Sequence, residues 1–84
     1  MPRALEVQED LEEVIRRMVD EPDAVEIGES WQDDRTCTFE LRVAPGDLGK
    51  VIGRQGRTAR SLRTLLEARG AHEGIDYGLE ILED

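Results

Sequence analysis

The sequence predicts an α+β fold with its elements in the order α-β-β-α-α-β. Two stretches repeat apolar residues at helical spacing, and three shorter stretches alternate apolar and polar residues as strands do. The chain has 84 residues, of which 38% are hydrophobic, without an internal repeat or a low-complexity linker. This is enough apolar material for one small core, and we predict a single domain over residues 1–84.

The first element is predicted as a helix over residues 4–20. Its apolar residues lie at positions i, i+3, i+4, i+7 and i+8, which form one helical face: Leu11, Val14, Ile15, Met18 and Val19. Acidic residues crowd the start of the stretch, and Arg16 and Arg17 come near its end, the order that the helix dipole favours. Pro22 should end the helix, because the residue before a proline avoids helical dihedral angles.

Two strands are predicted next. The first starts at Val25 and should end near residues 28–29, and residues 30–34 are predicted as a polar hairpin loop that carries Trp31. Residues 36–43 then alternate cleanly, with an apolar face made of Cys37, Phe39, Leu41 and Val43. This second strand is predicted to be half-buried.

The remaining elements follow a break at residues 44–47. The break leaves room for only a very short helix before Gly53. Residues 57–68 are predicted as the second clear helix, with an apolar face of Ala59, Leu62, Leu65 and Leu66. Gly70 is a natural stop for this helix, and residues 70–75 are predicted as a loop. The last strand alternates at Tyr77, Leu79 and Ile81.

Charge is distributed unevenly along the chain. The net charge is −9, which alone argues against nucleic acid as a partner, because phosphate binding depends on cationic side chains. Residues 1–41 carry a net charge of −9 and residues 73–84 a net charge of −5, whereas residues 42–72 carry +5. The local field, rather than the net charge, decides what docks on the basic stretch.

The basic stretch contains a Gly-X-X-Gly turn from Gly53 to Gly56, between the short helix and the long one. Its glycines permit positive φ angles and let another backbone approach closely. The first N–H groups of the helix that opens near Arg57 lack intrahelical partners and can donate to an anion. Of Val51 and Ile52 beside the turn, one side chain could face the core and the other the floor of a groove. This combination suits single-stranded nucleic acid and does not suit readout of a duplex.

The chain resembles a KH domain at this turn, because the domain's signature matches Val51-Ile52-Gly53-Arg54-Gln55-Gly56-Arg57, followed by Thr58, Ala59 and Leu62. KH domains clamp four nucleotides with their GXXG loop. The element order resembles the type II arrangement, and the stretch from Val43 to Gly53 resembles the small bacterial single-KH proteins of the KhpA family. The resemblance covers almost the whole chain. It implies a three-stranded sheet covered on one face by three helices.

The resemblance also implies a function without catalysis. Members of this family are cytoplasmic RNA-binding proteins that act as RNA chaperones or post-transcriptional regulators. They form homodimers or pair with a second KH protein of the KhpB (Jag-like) type. We therefore expect the chain to bind single-stranded RNA, as a homodimer or as half of a heterodimer.

The expected RNA-binding residues are Lys50, Val51, Ile52, Gly53, Arg54, Gln55, Gly56, Arg57 and Arg60. We expect Arg54 and Gln55 to project from the loop, and the N–H groups around Gly56 and Arg57 to meet phosphate. Lys50, Arg57 and Arg60 would supply the field, and Val51 or Ile52 would underlie the bases. Thr58 is interpreted as a packing residue and Arg63 as solvated or interfacial. The acidic last strand, with Glu80, Glu83 and Asp84, would weaken binding if it borders the groove.

Two alternatives stay open. The acidic balance and the small core favour a protein–protein module, in which the KH scaffold dimerises or docks on a partner and touches little RNA. Single-stranded DNA is the other alternative, because the 2′-hydroxyl contact that distinguishes the two ligands leaves no sequence pattern.

Other functional classes are excluded by residue type. Cys37 lies on an apolar strand face and is interpreted as a buried small hydrophobe. One Cys and one His (His72) cannot form a zinc site, so we predict no metal, no cofactor and no catalytic residue. The chain has no run of about 18 apolar residues and no apolar segment after Met1, which predicts neither a membrane span nor a secretory signal. A cytoplasmic location is the expectation.

Overall fold

The structure is a computed structural model that describes residues 3–83, and its elements follow the predicted order. The helices in this range are α1 (Ala4–Met18), α2 (Leu48–Ile52) and α3 (Arg57–Glu73), and the strands are β1 (Glu26–Asp33), β2 (Thr36–Arg42) and β3 (Asp76–Ile81). Single 3₁₀ turns lie at Pro22–Ala24, Pro45–Asp47 and Arg54–Gly56. No helix within residues 3–83 is both long and apolar enough to cross a bilayer. Met1, Pro2 and the acidic Asp84 lie outside the described residues.

The sheet is mixed and has the order β1-β2-β3. β1 and β2 form an antiparallel hairpin, in which Ile27 lies opposite Leu41. β2 and β3 are parallel, with Leu41 beside Ile81, so that the chain crosses from one to the other through α2 and α3. This arrangement confirms the predicted α+β class and makes β3 an edge strand, whose outer side is not paired in the sheet.

The core lies between the helices and one face of the sheet. Cys37, Phe39 and Leu41 alternate along β2 and are completely buried, whereas the residues between them are only half-buried. The helices pack on this face through residues that include Val7, Leu11 and Ile15 of α1, Val51 of α2, and Leu62 and Leu66 of α3. Burial, with a smaller effect from Glu29, raises the pKa of the Cys37 thiol to about 11. Cys37 is therefore a protonated core residue, as predicted.

β1 is longer than the sequence predicts, and the expected loop over residues 30–34 is wrong. The strand continues to Asp33, and only residues 34–35 form the hairpin turn. Pairing with β2 holds this part of β1 extended, with Trp31 opposite Cys37. Trp31 is still 40% exposed, and its indole Nε1 donates to Glu29 Oε1 at 2.9 Å. Polar residues are tolerated in this part of β1 because β1 is the other edge strand of the sheet, and most of its residues are exposed.

α3 is also longer than predicted, and Gly70 does not end it. The helix continues to Glu73 and ends at Gly74, which has a left-handed backbone with φ 73°. Gly70 lies inside α3, and a Cβ atom there would lie 2.0 Å from the carbonyl oxygen of Ile75. The glycine therefore permits close packing of the helix against the chain that leads into β3. The predicted loop over residues 70–75 shrinks accordingly. α1, in contrast, ends at Met18, two residues before its predicted end.

Asp47 fixes the start of α2 relative to the end of α1. Its side chain is buried, with only 2% of the residue exposed. The carboxylate accepts hydrogen bonds from the backbone N–H groups of Asp20, at 3.1 Å, and Glu21, at 3.0 Å. These two bonds satisfy a buried charge and hold α2 in place, and α2 leads directly into the Gly-X-X-Gly turn.

Candidate nucleic-acid interface

The turn from Gly53 to Gly56 joins α2 to α3 through three residues with positive φ angles. Gly53 has φ 78° and ψ 169°, a conformation that is essentially restricted to glycine. Gln55 (φ 58°) and Gly56 (φ 73°) are both left-handed, and Gln55 is the one non-glycine residue with positive φ in residues 3–83. Two successive left-handed residues turn the chain sharply into α3.

The two glycines of the turn have different physical roles. A Cβ atom on Gly53 would lie 2.2 Å from Thr58 Oγ1 and 2.8 Å from the Thr58 backbone nitrogen. Gly53 therefore accommodates the chain's own α3, and Thr58 is a packing residue, as interpreted from the sequence. A Cβ atom on Gly56 would meet nothing within 4 Å. The bare surface of Gly56 is open to a ligand.

The backbone N–H groups at the end of the turn are already bonded. The N–H of Gly56 donates to the Gly53 carbonyl at 3.1 Å, and the N–H of Arg57 donates to the Arg54 carbonyl. The prediction that these two N–H groups are free for phosphate is therefore wrong. The 3₁₀ turn continues directly into α3 and supplies acceptors that an isolated helix start would lack.

A groove of about 420 Å³ lies between the turn and the free edge of the sheet. One wall comes from the end of α2, the turn and the first half of α3, and the other comes from the end of β3. The lining residues are Ile52, Gly56, Ala59, Arg60, Arg63, Leu79, Glu80, Ile81 and Glu83. The groove therefore combines aliphatic side chains with cations from α3 and carboxylates from the last strand and the residues after it.

Val51 and Ile52 divide between the core and the groove. Val51 is completely buried in the core, with 0% exposed, and Ile52 is half-buried and lines the groove. The prediction of an RNA contact for the Val51 side chain is wrong, because its face of the short α2 helix packs inward. Ile52 keeps the predicted place beside the groove.

The arginines of the turn are arranged around Gln55. Arg57 Nη2 donates to Gln55 Oε1 at 3.2 Å, and Arg60 Nη2 donates to the Gln55 backbone carbonyl at 3.3 Å. The exposed Arg54 side chain has no hydrogen-bond or ion-pair partner within residues 3–83. The structure thus brings Arg54, Gln55, Arg57 and Arg60 together, as the sequence predicts. Arg57 and Arg60 brace the left-handed Gln55, whereas Arg54 makes no such contact in the part of the chain that the structure describes.

Lys50 lies apart from this group. Its Nζ atom forms an ion pair with Asp20 Oδ2 at 3.3 Å, and both side chains are well exposed. Lys50 is not among the residues that line the groove. Because Asp20 offsets its charge, Lys50 contributes less positive field at the groove than the sequence suggests.

The groove also contains residues that sequence reasoning missed. Arg63 is exposed, in line with its interpretation as a solvated residue, but it also lines the groove and donates from Nε to the carbonyl of Leu79 at 3.2 Å, which the sequence did not predict. Ala59, Leu79 and Ile81 line it as well. The one sequence signal that could have placed Arg63 in the groove is its position three residues after Arg60, because residues i and i+3 lie on the same face of a helix. Glu80 and Glu83 do border the groove. The condition under which the acidic last strand was expected to weaken RNA binding is therefore met.

A second surface, apolar rather than charged, lies between α1 and α3. Val14 is 48% exposed and Leu65 is 67% exposed, although helical spacing predicts both on a core face. That placement is wrong, because the apolar arc of each helix is wider than the area that the sheet covers. Both residues line a shallow groove of about 150 Å³ with Val7, Leu11, Leu62 and Leu66. Asp10 and Arg69, paired at 3.3 Å, also line it.

The element order, the mixed three-stranded sheet and the Gly-X-X-Gly turn between α2 and α3 together define a KH domain of the type II order. The family model described as "KhpA/KhpB, KH domain" matches residues 8–81. The chain therefore belongs to the KhpA/KhpB family of KH-domain proteins. The family is non-enzymatic, in agreement with the expectation of a protein without catalysis.

Several curated bacterial proteins are similar to the chain over most of their length. One from Aquifex aeolicus is 50% identical over 68 residues, which are 81% of this chain and 85% of the relative. One from Chlamydia trachomatis is 38% identical over 78 residues, 93% of this chain and 99% of the relative. One from Streptomyces coelicolor is 50% identical over 64 residues, 76% of this chain and 80% of the relative. All three carry the name RNA-binding protein KhpA. No solved structure gives a significant match.

Proposed function

We propose that the chain binds single-stranded RNA in the groove beside Gly56 and acts in the cytoplasm as a small RNA chaperone or post-transcriptional regulator. The observation that carries the proposal is the open surface of Gly56 at the mouth of an aliphatic groove with arginines along one wall. The names of the relatives support RNA as the ligand.

In this proposal the turn grips the RNA backbone and the groove receives the bases. Arg54, whose side chain has no partner within residues 3–83, meets a phosphate. The first N–H groups of the 3₁₀ turn, at Arg54 and Gln55, have no acceptor inside the turn. The sugar–phosphate chain passes over Gly56, where no side chain intervenes. Ile52 contacts the bases from the α2 side.

The electrostatics of this site favour weak and salt-sensitive binding. Few cations border the groove, and Glu80 and Glu83 line it on the other side. With about three phosphates neutralised, the logarithm of the association constant should fall against the logarithm of the salt concentration with a slope of about −2. Measuring this slope by fluorescence anisotropy tests how many phosphates the site contacts.

The direct test of the clamp is a double substitution, Arg54→Asp with Gln55→Asp, which keeps both glycines. Aspartate tolerates the left-handed backbone at position 55, so we expect the fold to survive. The control is Gln32→Asp with Arg35→Asp, which makes the same charge change in the β1–β2 hairpin, away from the groove. We expect loss of RNA binding in the first variant and little change in the second. Equal RNA retention in both variants would contradict the clamp.

The apolar surface between α1 and α3 favours a second activity, pairing with another KH domain. Leu65 and Val14 are large, exposed and adjacent to a shallow groove, a pattern typical of an interaction site. We propose that this surface supports the homodimer, or the heterodimer with a second KH protein of the KhpB type.

Light scattering after size-exclusion chromatography tests the pairing surface. Leu65→Glu should convert a homodimer to a monomer, or abolish co-elution with the second KH protein, because it buries a charge in the contact. Leu65 is exposed in the monomer, so the variant should fold. If RNA binding is lost only in the Leu65 variant and persists in the Arg54 and Gln55 variant, the protein–protein module is the better description.

A further inference from the structure

Arg63 spans the groove from α3 to β3. Its Nε atom donates to the carbonyl oxygen of Leu79 at 3.2 Å, and both residues line the groove. In the parallel pairing of β2 with β3, the N–H groups of Asp76 and Leu82 point to the β2 side. Because strand residues alternate, the Leu79 carbonyl points to the free edge, where it would otherwise be an open hydrogen-bond acceptor in the groove wall.

This contact changes the chemistry that the groove wall offers to a ligand. A free carbonyl would favour groups that donate hydrogen bonds, such as the amino groups of adenine and cytosine. The guanidinium of Arg63 engages that acceptor through Nε and keeps its two Nη groups, which have no other partner within residues 3–83. A guanidinium carries five N–H donors in a fixed fork, so the wall at this position donates rather than accepts.

We propose that Arg63 selects guanine for the base that lies against β3. Guanine presents two adjacent acceptors, O6 and N7, which match the guanidinium fork. Adenine presents a donor beside N7, cytosine presents a donor at N4, and uracil has O4 without an adjacent ring acceptor. This inference rests on the proposed function and adds a base preference to it.

The positions of the two groove arginines support different roles for them. Arg60 donates to the backbone carbonyl of Gln55 and so lies at the turn, where the proposed path of the phosphates runs. Arg63 lies about one helical turn further along α3, beside Leu79. The base side of the groove is therefore the side that Arg63 reaches.

The test uses single-stranded RNAs of about eight uridines with one central substitution, the size of a typical single-strand site. The central nucleotide is guanosine, inosine, 7-deazaguanosine or adenosine, and binding is measured by fluorescence anisotropy at low salt. Inosine keeps O6 and N7, whereas 7-deazaguanosine lacks the N7 acceptor. We expect guanosine and inosine to bind similarly, and both at least about five-fold more tightly than 7-deazaguanosine or adenosine.

The matching variant is Arg63→Lys, which keeps the charge and removes the fork. We expect it to keep the salt dependence and the affinity for the adenosine RNA, and to lose most of the preference for guanosine. The control is Arg16→Lys on α1, where Arg16 pairs with Glu12 outside the groove; it should keep the preference. Circular dichroism confirms that both variants fold.

Three results would overturn the inference. Equal binding of all four RNAs by the unmodified protein would exclude a guanine preference while leaving RNA binding intact. An unchanged preference in Arg63→Lys would place the selectivity elsewhere. Equal loss of affinity for every RNA in that variant would make Arg63 a general phosphate contact. Failure of the unmodified protein to bind any of the four RNAs would instead contradict the proposed function itself.

Discussion

The two ends of α3 use the same residue types in opposite ways. At the N-terminal end, a Cβ atom on Gly56 would meet nothing within 4 Å, whereas at the C-terminal end a Cβ atom on Gly70 would lie 2.0 Å from the Ile75 carbonyl oxygen. Arg54, just before α3, has no partner within residues 3–83, whereas Arg69 pairs with Asp10 at 3.3 Å and Glu73 at 3.0 Å.

The difference shows how to separate structural residues from candidate binding residues within one helix. Toward the C-terminal end, the protein itself supplies the carbonyl that fills the space beside Gly70 and the carboxylates that balance Arg69. At the N-terminal end, the space beside Gly56 is empty within 4 Å, and no carboxylate among residues 3–83 balances the charge of Arg54. In the proposed function, the RNA occupies the space beside Gly56 and balances the charge of Arg54.

The largest expected effect is a loss of stability from a substitution near the C-terminal end of α3. Gly70→Ala should destabilise the fold by about 3 kcal/mol, because the added methyl group meets a backbone carbonyl that cannot rotate away. The sign is informative, since glycine to alanine in an open helix normally stabilises by up to about 1 kcal/mol. Gly49→Ala in α2 is the control with nothing within 4 Å, and it should be neutral or stabilising. Urea unfolding measures both.

The next prediction concerns the hydrogen bond from Tyr77 Oη to Glu73 Oε1, at 2.7 Å. This bond is the main cause that lowers the pKa of Glu73 below its ordinary value of 4.5, and Arg3 N–H and Arg69 add to it. A lowered folded-state pKa stabilises the protein above the unfolded value, and the stabilisation is lost as the pH falls through the folded value. Tyr77→Phe should therefore cost about 1.5 kcal/mol at pH 7 and progressively less below pH 4.5.

Urea unfolding of Tyr77→Phe across this pH range checks the sign. The phenylalanine ring keeps the stacking with Phe39, whose ring centroid lies 5.4 Å from that of Tyr77, so packing is conserved. A loss of stability that does not change with pH would mean that the hydroxyl acts through packing rather than through the Glu73 carboxylate.

A third prediction sharpens the comparison at the open end. Gly56→Ala should cost about 1 kcal/mol of stability, from the left-handed backbone alone, and lower RNA affinity about ten-fold, because the methyl group occupies the proposed path of the RNA. Gly74→Ala is a close control, since Gly74 has the same φ of 73° and equally open surroundings at the other end of α3. It should lose similar stability and keep RNA affinity. Equal RNA affinities in the two variants would argue against contact at Gly56.

The smallest expected effect concerns the acidic wall. Glu83→Gln should raise RNA affinity about two-fold at low salt, because it removes one carboxylate from the groove wall opposite the arginines. The gain should vanish at high salt, where the charges are screened. Glu67→Gln, outside the groove on α3, should change affinity less. Anisotropy titrations at two salt concentrations distinguish the cases.

Local sequence patterns predicted the fold wherever burial alternates along the chain. Residues 36–42 and 77–81 lie in strands as predicted, and their apolar residues are buried except for Ile81, which is half-buried. β1 was predicted too short, because its far half is held by pairing with β2 rather than by burial of its own side chains. Backbone hydrogen bonds to β2 require no alternation of apolar and polar side chains, so the sequence of the exposed half of β1 does not show that it is a strand.

The candidate site was only partly predictable for a similar reason. The Gly-X-X-Gly turn and its arginines are contiguous in sequence, and the structure does bring Arg54, Gln55, Arg57 and Arg60 together. The groove wall from β3 and the bridge from Arg63 to Leu79 join residues 16 positions apart, and depend on tertiary packing. Gly70 was misread for a related reason. Glycine is favoured both where a helix ends and where a helix packs closely against another segment, and the sequence alone does not distinguish the two.

The parallel pairing of β2 with β3 has a consequence for synthesis of the chain. One wall of the groove, from Ile52 to Arg63, is made long before the other wall, at Leu79 to Glu83. A nascent chain thus carries the glycine turn without a complete cleft until β3 has docked beside β2. Any ligand held between the two walls favours the docked strand, so occupancy should raise the melting temperature of the whole domain.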